Sequence, residues 1–203
     1  MNRREALQQV AWLMGGTLSA PALVGMLDGC SAKPSSKFRP QFLSAAEGAL
    51  IEEIAEIMIP RTATPGAKDV GVPAFIDTML RDVYGPSDQH RYRHGLSEFG
   101  ASAKRDSGRA FLDLDAERRR ALVQAAHDSA VAEERRQKAA HEKLLRPFIL
   151  MTKELCMLGF FTSEAGATQV LQYVAIPGAY RGCIPIAEAG KGKTWAQETS
   201  DNF

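Results

Sequence analysis

Apolar residues recur at helical spacing early in the chain. Between Ser44 and Pro60 they lie three or four residues apart, at Leu50, Ile51, Ile54, Ile57 and Met58. This spacing puts them on one face of a helix. Ser44 and Glu47 have the spacing of a capping box, and Pro60 removes a backbone donor. The pattern therefore predicts a core helix from Ser44 to about Ile59.

Four more helices are predicted downstream. Their predicted limits are Pro73 to Val83, Ser87 to Arg105, a helix capped by Asp113 or Asp115, and Glu133 to Phe161. The helix capped by an aspartate has Leu122, Val123 and Ala126 on its inner face. The last helix includes Leu144 and Leu145 among its apolar residues, and Pro147 either kinks it or restarts it.

The pattern changes after Phe161. Residues Val170 to Ile176 are predicted to form a short strand or an irregular arm before Pro177 and Gly178. Strands do not alternate with helices along the chain. The predicted fold class is therefore mainly α, an irregular helical bundle with an extended C-terminal arm.

Charge and length narrow the class of protein. The 203 residues carry 25 Lys and Arg against 24 Asp and Glu, a net charge of +1. Phosphate binding needs a basic excess on one face, so no nucleic acid is expected as a partner. The length suits one domain with one core.

The first 29 residues have the features of an export signal. Arg3 and Arg4 precede an apolar stretch from Val10 to Leu27. This arrangement predicts a twin-arginine signal peptide over residues 1–29 and a periplasmic location. The alternative is a retained membrane anchor, because about 18 apolar residues nearly span a bilayer. The glycines and proline within the stretch make a poor permanent span.

Cys30 is a candidate for lipid attachment. Leu27 to Cys30 resembles a lipobox, although Asp28 stands where a small neutral residue is usual. Residues 30–40 would then form a flexible tether to a membrane, and residues 41–203 the helical domain. The alternative is that Cys30 is a leftover cysteine with no role.

The other candidate chemistry is sparse. Cys156 and Cys183 are predicted to form a disulfide in an oxidising compartment, or else to remain separate buried thiols. His90 and His94 are four residues apart and could share a metal ion. The arginines beside them favour a solvated basic face instead. The sequence contains no catalytic constellation.

Several short segments in a fixed order resemble one family. They are the Arg3-Arg4 leader, Ile57 to Thr62, Thr64 to Ala67, Gly159 to Glu164 and Tyr173 to Cys183. Together they resemble the gluconate 2-dehydrogenase subunit 3 family, over most of residues 1–185.

The resemblance implies an accessory role. Such a chain is a non-catalytic small subunit of a membrane-associated sugar or sugar-acid dehydrogenase. The large partner subunit, of the glucose-methanol-choline type, holds FAD, and a cytochrome c subunit often receives the electrons. The small subunit escorts the folded large subunit through the twin-arginine translocase and then stabilises it. No cofactor is expected in this chain, and no catalytic residue is carried over.

The surface for such a partner is expected to contain apolar side chains. The candidates are Pro65, Gly66, Ala67, Phe160, Phe161, Tyr173 and Tyr180, and the alternative for each is packing within the chain. Two alternative functions remain open. One is a stand-alone periplasmic lipoprotein interaction module. The other is an enzyme whose site assembles around His90, His94 and Glu98.

Overall fold

The computed structural model describes residues 38–173, 183–190 and 192–195. Its helices are α1 Ala45–Met58, α2 Val72–Asp82, α3 Pro86–Ser107, α4 Ala116–Ala139, α5 Phe148–Phe161 and α6 Ile186–Gly190. A 3-10 turn at Phe111–Asp113 and a π-helical turn at Gly166–Val170 connect them. The predicted mainly α fold is confirmed. The signal peptide with Arg3 and Arg4, Cys30 and Tyr180 lie outside the described residues.

Helix α1 begins with the predicted capping box. The Glu47 amide donates to Ser44 Oγ at 3.3 Å, and the Ser44 amide donates to Glu47 Oε2 at 2.8 Å. Arg93 on α3 also donates to Glu47, at 2.9 Å. Partial burial would raise the pKa of Glu47, but the hydrogen bonds from Arg93 and Ser44 outweigh it and lower that pKa. The cap thus also ties α1 to α3.

Helix α5 lies at the centre of the domain and contacts α1, α2, α3 and α4. Its buried residues are Phe148, Ile149, Leu150, Met151, Thr152, Leu155, Cys156, Gly159 and Phe160. A helix that is apolar over most of its surface needs neighbours on most of its sides. The other helices supply them, and the core of the domain is built around α5.

The predicted helix from Glu133 to Phe161 is wrong. Helix α4 runs through Glu133 to Ala139, residues 140–147 are irregular, and α5 begins after Pro147. Proline lacks an amide donor and disfavours helical geometry in the residue before it. A new helix therefore begins after Pro147. As a result Leu144 and Leu145 are 44% and 48% exposed.

Between the two predicted caps of α4, the structure selects Asp115. Its carboxylate accepts from the Arg118 amide at 2.8 Å, while Asp113 lies in the 3-10 turn. Val123 on the predicted inner face is buried, and Leu122 and Ala126 pack partly against the core.

A buried carboxylate holds the entry to α1. Asp77 on α2 is 3% exposed and accepts hydrogen bonds from the amides of Gln41 at 2.7 Å, Leu43 at 2.8 Å and Phe42 at 3.2 Å. Pro40, which the sequence assigned to the tether, packs against Gly48 on α1. The last residues of the predicted tether are therefore part of the domain.

We expect Asp77→Ala to lower the free energy of unfolding by about 2 to 4 kcal/mol, because it leaves backbone amides without an acceptor next to the core. Asp82→Ala on the same helix is the control, since its ion pair with Arg81 is exposed and is expected to contribute little to stability. Urea unfolding of both purified variants measures the difference. Equal losses would contradict the role assigned to Asp77.

Candidate functional site

Two carboxylates shape the loop between α1 and α2, residues 60–71. Glu56 accepts from the amides of Arg61 at 3.1 Å and Lys68 at 3.0 Å. Asp69 accepts from the Gly66 amide at 2.8 Å and from Arg61 Nε at 2.7 Å. The Arg61 guanidinium holds the pKa of Asp69 below its usual value. The loop is therefore ordered by its own polar contacts.

Gly66 is required in this loop by close approach of neighbouring atoms. A Cβ at this position would lie 2.4 Å from Glu56 Oε1 and 2.7 Å from the Arg61 backbone nitrogen. The second of these atoms is backbone and cannot rotate away. The loop thus closes around Gly66 because this residue has no side chain.

The loop exposes only part of its predicted interface. Ala67 is 0% exposed within the core, Gly66 is buried and Pro65 is half-buried. Arg61 has 69% of its side chain exposed. Gly66 and Ala67 therefore serve the packing of this chain, and Pro65 and Arg61 supply the surface.

The two predicted aromatic residues at the end of α5 differ in their exposure. Phe160 is 3% exposed and belongs to the core, where its ring lies edge-on to Phe161, with centroids 5.3 Å apart. Phe161 is half-buried. The chain then turns sharply, and the turn requires glycine at position 166, since a Cβ there would overlap the Phe160 carbonyl oxygen. Of the two, Phe161 is the one that contributes surface.

The end of the C-terminal arm, residues 173–194, is hydrogen-bonded to the segment that precedes the arm. The Gln172 amide donates to the Thr194 carbonyl at 2.8 Å, next to an isolated parallel bridge between Gln172 and Trp195. Lys193 Nζ donates to the Gln169 carbonyl. The arm is thus fastened at its base to the segment that follows α5.

Apolar side chains of the arm are exposed. Tyr173 is 62% exposed, Ile186 is 55% exposed and Ile184 is 36% exposed. Tyr173 was predicted at the interface, whereas the two isoleucines were missed. Their sequence signal is weak, because the three residues Ile184, Pro185 and Ile186 are too few to define a helical or strand pattern.

The two cysteines of the helical domain are free thiols in the structure. Cys156 faces the core on α5, where burial raises the pKa of its thiol to about 12. Cys183 is exposed on the arm. The predicted disulfide is not present, because one thiol lies inside the bundle and the other at the surface.

The histidines form no metal centre in the part of the chain that the structure describes. The rings of His90 and His94 are stacked, with centroids 6.3 Å apart. Glu98 lies 3.9 Å from Arg105. Among the described residues no group of three or more His, Cys, Asp or Glu side chains is placed to hold a metal ion.

The exposed apolar side chains of the arm, Tyr173, Ile184 and Ile186, are candidates for contact with another protein. The sequence profile of gluconate 2-dehydrogenase subunit 3 matches residues 45–178, about two thirds of the chain. The chain belongs to this family, which confirms the resemblance drawn from its motifs. The comparison with curated proteins gave no match, and neither did the comparison with solved structures. Within the described ranges, no helix combines the length and apolarity needed to cross a bilayer.

We expect Gly66→Ala to destabilise the domain by about 1 to 3 kcal/mol, because the new methyl group would overlap the Arg61 backbone. Gly100→Ala on α3 is the matched control. Its Cβ would make an ordinary 3.5 Å contact with Leu50, and alanine favours a helix by about 0.5 to 1 kcal/mol over glycine. Thermal unfolding should therefore show opposite shifts for the two variants, and shifts of the same sign would contradict the packing assigned to Gly66.

Proposed function

We propose that this chain is a non-catalytic small subunit of a periplasmic, flavin-dependent sugar or sugar-acid dehydrogenase of the glucose-methanol-choline type. The observation that carries the proposal is the exposed apolar arm, with Tyr173, Ile184 and Ile186 at its surface. Membership of a family named for a dehydrogenase subunit supports the same role.

The arm suits a partner-binding role for physical reasons. When a partner removes exposed apolar surface from water, the free energy of the complex falls by about 25 cal/mol per Å² of surface buried. The bonds at the arm's base, between Gln172 and Thr194 and between Lys193 and Gln169, limit the conformations of its two ends. A segment restrained in this way loses less entropy on binding than a free tail does.

The partner in this proposal is the large catalytic subunit, which holds FAD. A cytochrome c subunit joins as the electron acceptor. The chain directs the folded large subunit through the twin-arginine translocase by means of Arg3 and Arg4. It then remains bound as a stabilising partner, with Cys30 available for lipid attachment to the membrane.

The test is affinity purification of the tagged full-length chain from its native host in mild detergent. We expect a flavin-containing protein to co-purify and to reduce a dye when a sugar or sugar acid is added. A colourless chain without this partner would contradict the proposal and favour the stand-alone lipoprotein module.

We expect Tyr173→Glu combined with Ile186→Glu to lower the amount of co-purified flavin at least about tenfold, because charged groups replace apolar contacts. Val83→Glu is the control, since Val83 is 65% exposed but lies at the end of α2, away from the arm in sequence. The ratio of flavin absorbance to tagged chain measures the effect. Equal retention in both variants would contradict the assignment of the arm.

We expect Arg3→Lys combined with Arg4→Lys to leave both this chain and the flavin-dependent activity in the cytoplasm, because the translocase reads the arginine pair. The control is Arg135→Lys with Arg136→Lys, an arginine pair within α4. Cell fractionation with an activity assay measures both. Export of the active partner at the normal level in the first variant would contradict the escort role.

A further inference from the structure

A groove on the surface of the domain lies beside the start of the loop and is separate in sequence from the arm. It lies where the end of α1 meets α4 and α5, and its volume is about 340 Å³. Met58, Val123, Cys156 and Met157 line its apolar part, while Arg120 and Lys153 lie at its rim. We call this feature the α1/α4/α5 groove.

The apolar part of the groove combines a fixed base with an adaptable edge. Cys156 is 0% exposed and Val123 is 4% exposed, so both are held by the core. Met157 is 46% exposed, although it follows Cys156 directly on α5. Methionine side chains are flexible and polarizable, and they adapt to the shape of an apolar partner. This part of the groove is suited to receive an apolar side chain.

A chain of hydrogen bonds positions one of the two rim cations. Lys153 Nζ lies 3.0 Å from His127 Nε2, and His127 Nδ1 lies 3.2 Å from Asp128 Oδ1. An ammonium group can only donate, so Nε2 accepts from Lys153 and the neutral ring donates from Nδ1 to Asp128. Lys153 keeps its remaining protons for another acceptor.

Neither cation at the rim is neutralised by a carboxylate among the described residues. Within the described residues, Arg120 and Lys153 make no ion pair with a carboxylate, whereas the neighbouring Arg119 pairs with Glu53 at 3.1 Å. A carboxylate held against the groove would therefore find two donors of the kind that binds carboxylates well.

We propose that the α1/α4/α5 groove docks a segment of the large dehydrogenase subunit in which an apolar side chain lies next to a carboxylate. The apolar side chain contacts Met58 and Met157, and the carboxylate accepts hydrogen bonds from Arg120 and Lys153. This proposal rests on the proposed function, because it assigns a second contact to the same partner.

The character of the groove favours a protein segment over a small amphiphile such as a fatty acid. Small-molecule sites enclose most of the surface of their ligand. Here half-exposed Met157 and exposed Arg120 and Lys153 border the groove, so an occupant would remain open to solvent on one side. Methionine and arginine are also enriched at protein interfaces.

The test uses the full chain, tagged and co-produced with the flavin subunit, and compares the wild type with Arg120→Glu/Lys153→Glu. We expect the variant to retain at least about tenfold less flavin subunit at low salt, because like charges now face the docking carboxylate. Raising NaCl from about 50 to about 300 mM should weaken the wild-type complex more than what remains of the variant complex.

Two controls separate docking from folding and from net charge. Arg135→Glu/Lys143→Glu makes the same change in charge at exposed positions outside the groove, and it should retain the partner as the wild type does. Met157→Glu should weaken binding through the apolar part of the groove alone. Circular dichroism and thermal unfolding of each purified variant confirm that the domain is folded.

Each of the other outcomes is distinct. A wild-type chain that binds no flavin subunit overturns the proposed function together with this inference. If Arg120→Glu/Lys153→Glu retains the flavin subunit as the wild type does, the docking role of the groove is overturned and the proposed function is not. Partner retention that is unchanged, with loss of a co-purified fatty acid or of self-association in the variant, also overturns it and reassigns the groove to a lipid or to a second copy of this chain.

Discussion

The enclosure of α5 by four helices is the constraint on which the rest of the structure depends. Two glycines allow it, since a Cβ at Gly159 would lie 2.6 Å from the Phe75 ring and one at Gly95 would lie 2.9 Å from the Phe148 ring. The buried hydroxyls are satisfied within the same packing. Thr152 Oγ1 donates to the Phe148 carbonyl and accepts from the Tyr92 hydroxyl, each at 2.8 Å. Burial raises the pKa of Tyr92 and keeps it protonated.

Each candidate surface borders the helical core. The loop after α1 is held by Glu56 and Asp69. The chain turns sharply at Gly166 before it reaches the arm, and the groove shares Cys156 and Val123 with the core. The domain therefore presents its surface features in fixed positions. This arrangement supports the proposed role of a subunit that holds and stabilises a partner.

Local sequence signals predicted the elements they govern. The capping box at Ser44 and the stop at Pro60 depend on neighbouring residues, and α1 formed as expected. The break at residues 140–147 was missed because apolar Leu144 and Leu145 continue a helical pattern that Pro147 ends. Exposure could not be predicted in the same way. Ala67 and Phe160 are buried by contacts with distant elements, which spacing along the chain does not reveal.

We propose that this domain stays folded in the complex and binds its partner through the loop, the arm and the groove. Hydrogen–deuterium exchange of the free chain and of the complex with the flavin subunit tests it most directly. We expect added protection at residues 61–70, at the arm from Tyr173 to Thr194, and beside the groove at Ile57–Ile59 and Met157. Protection confined to the outer face of α3, around His90 and His94, with these three regions unchanged, would contradict it.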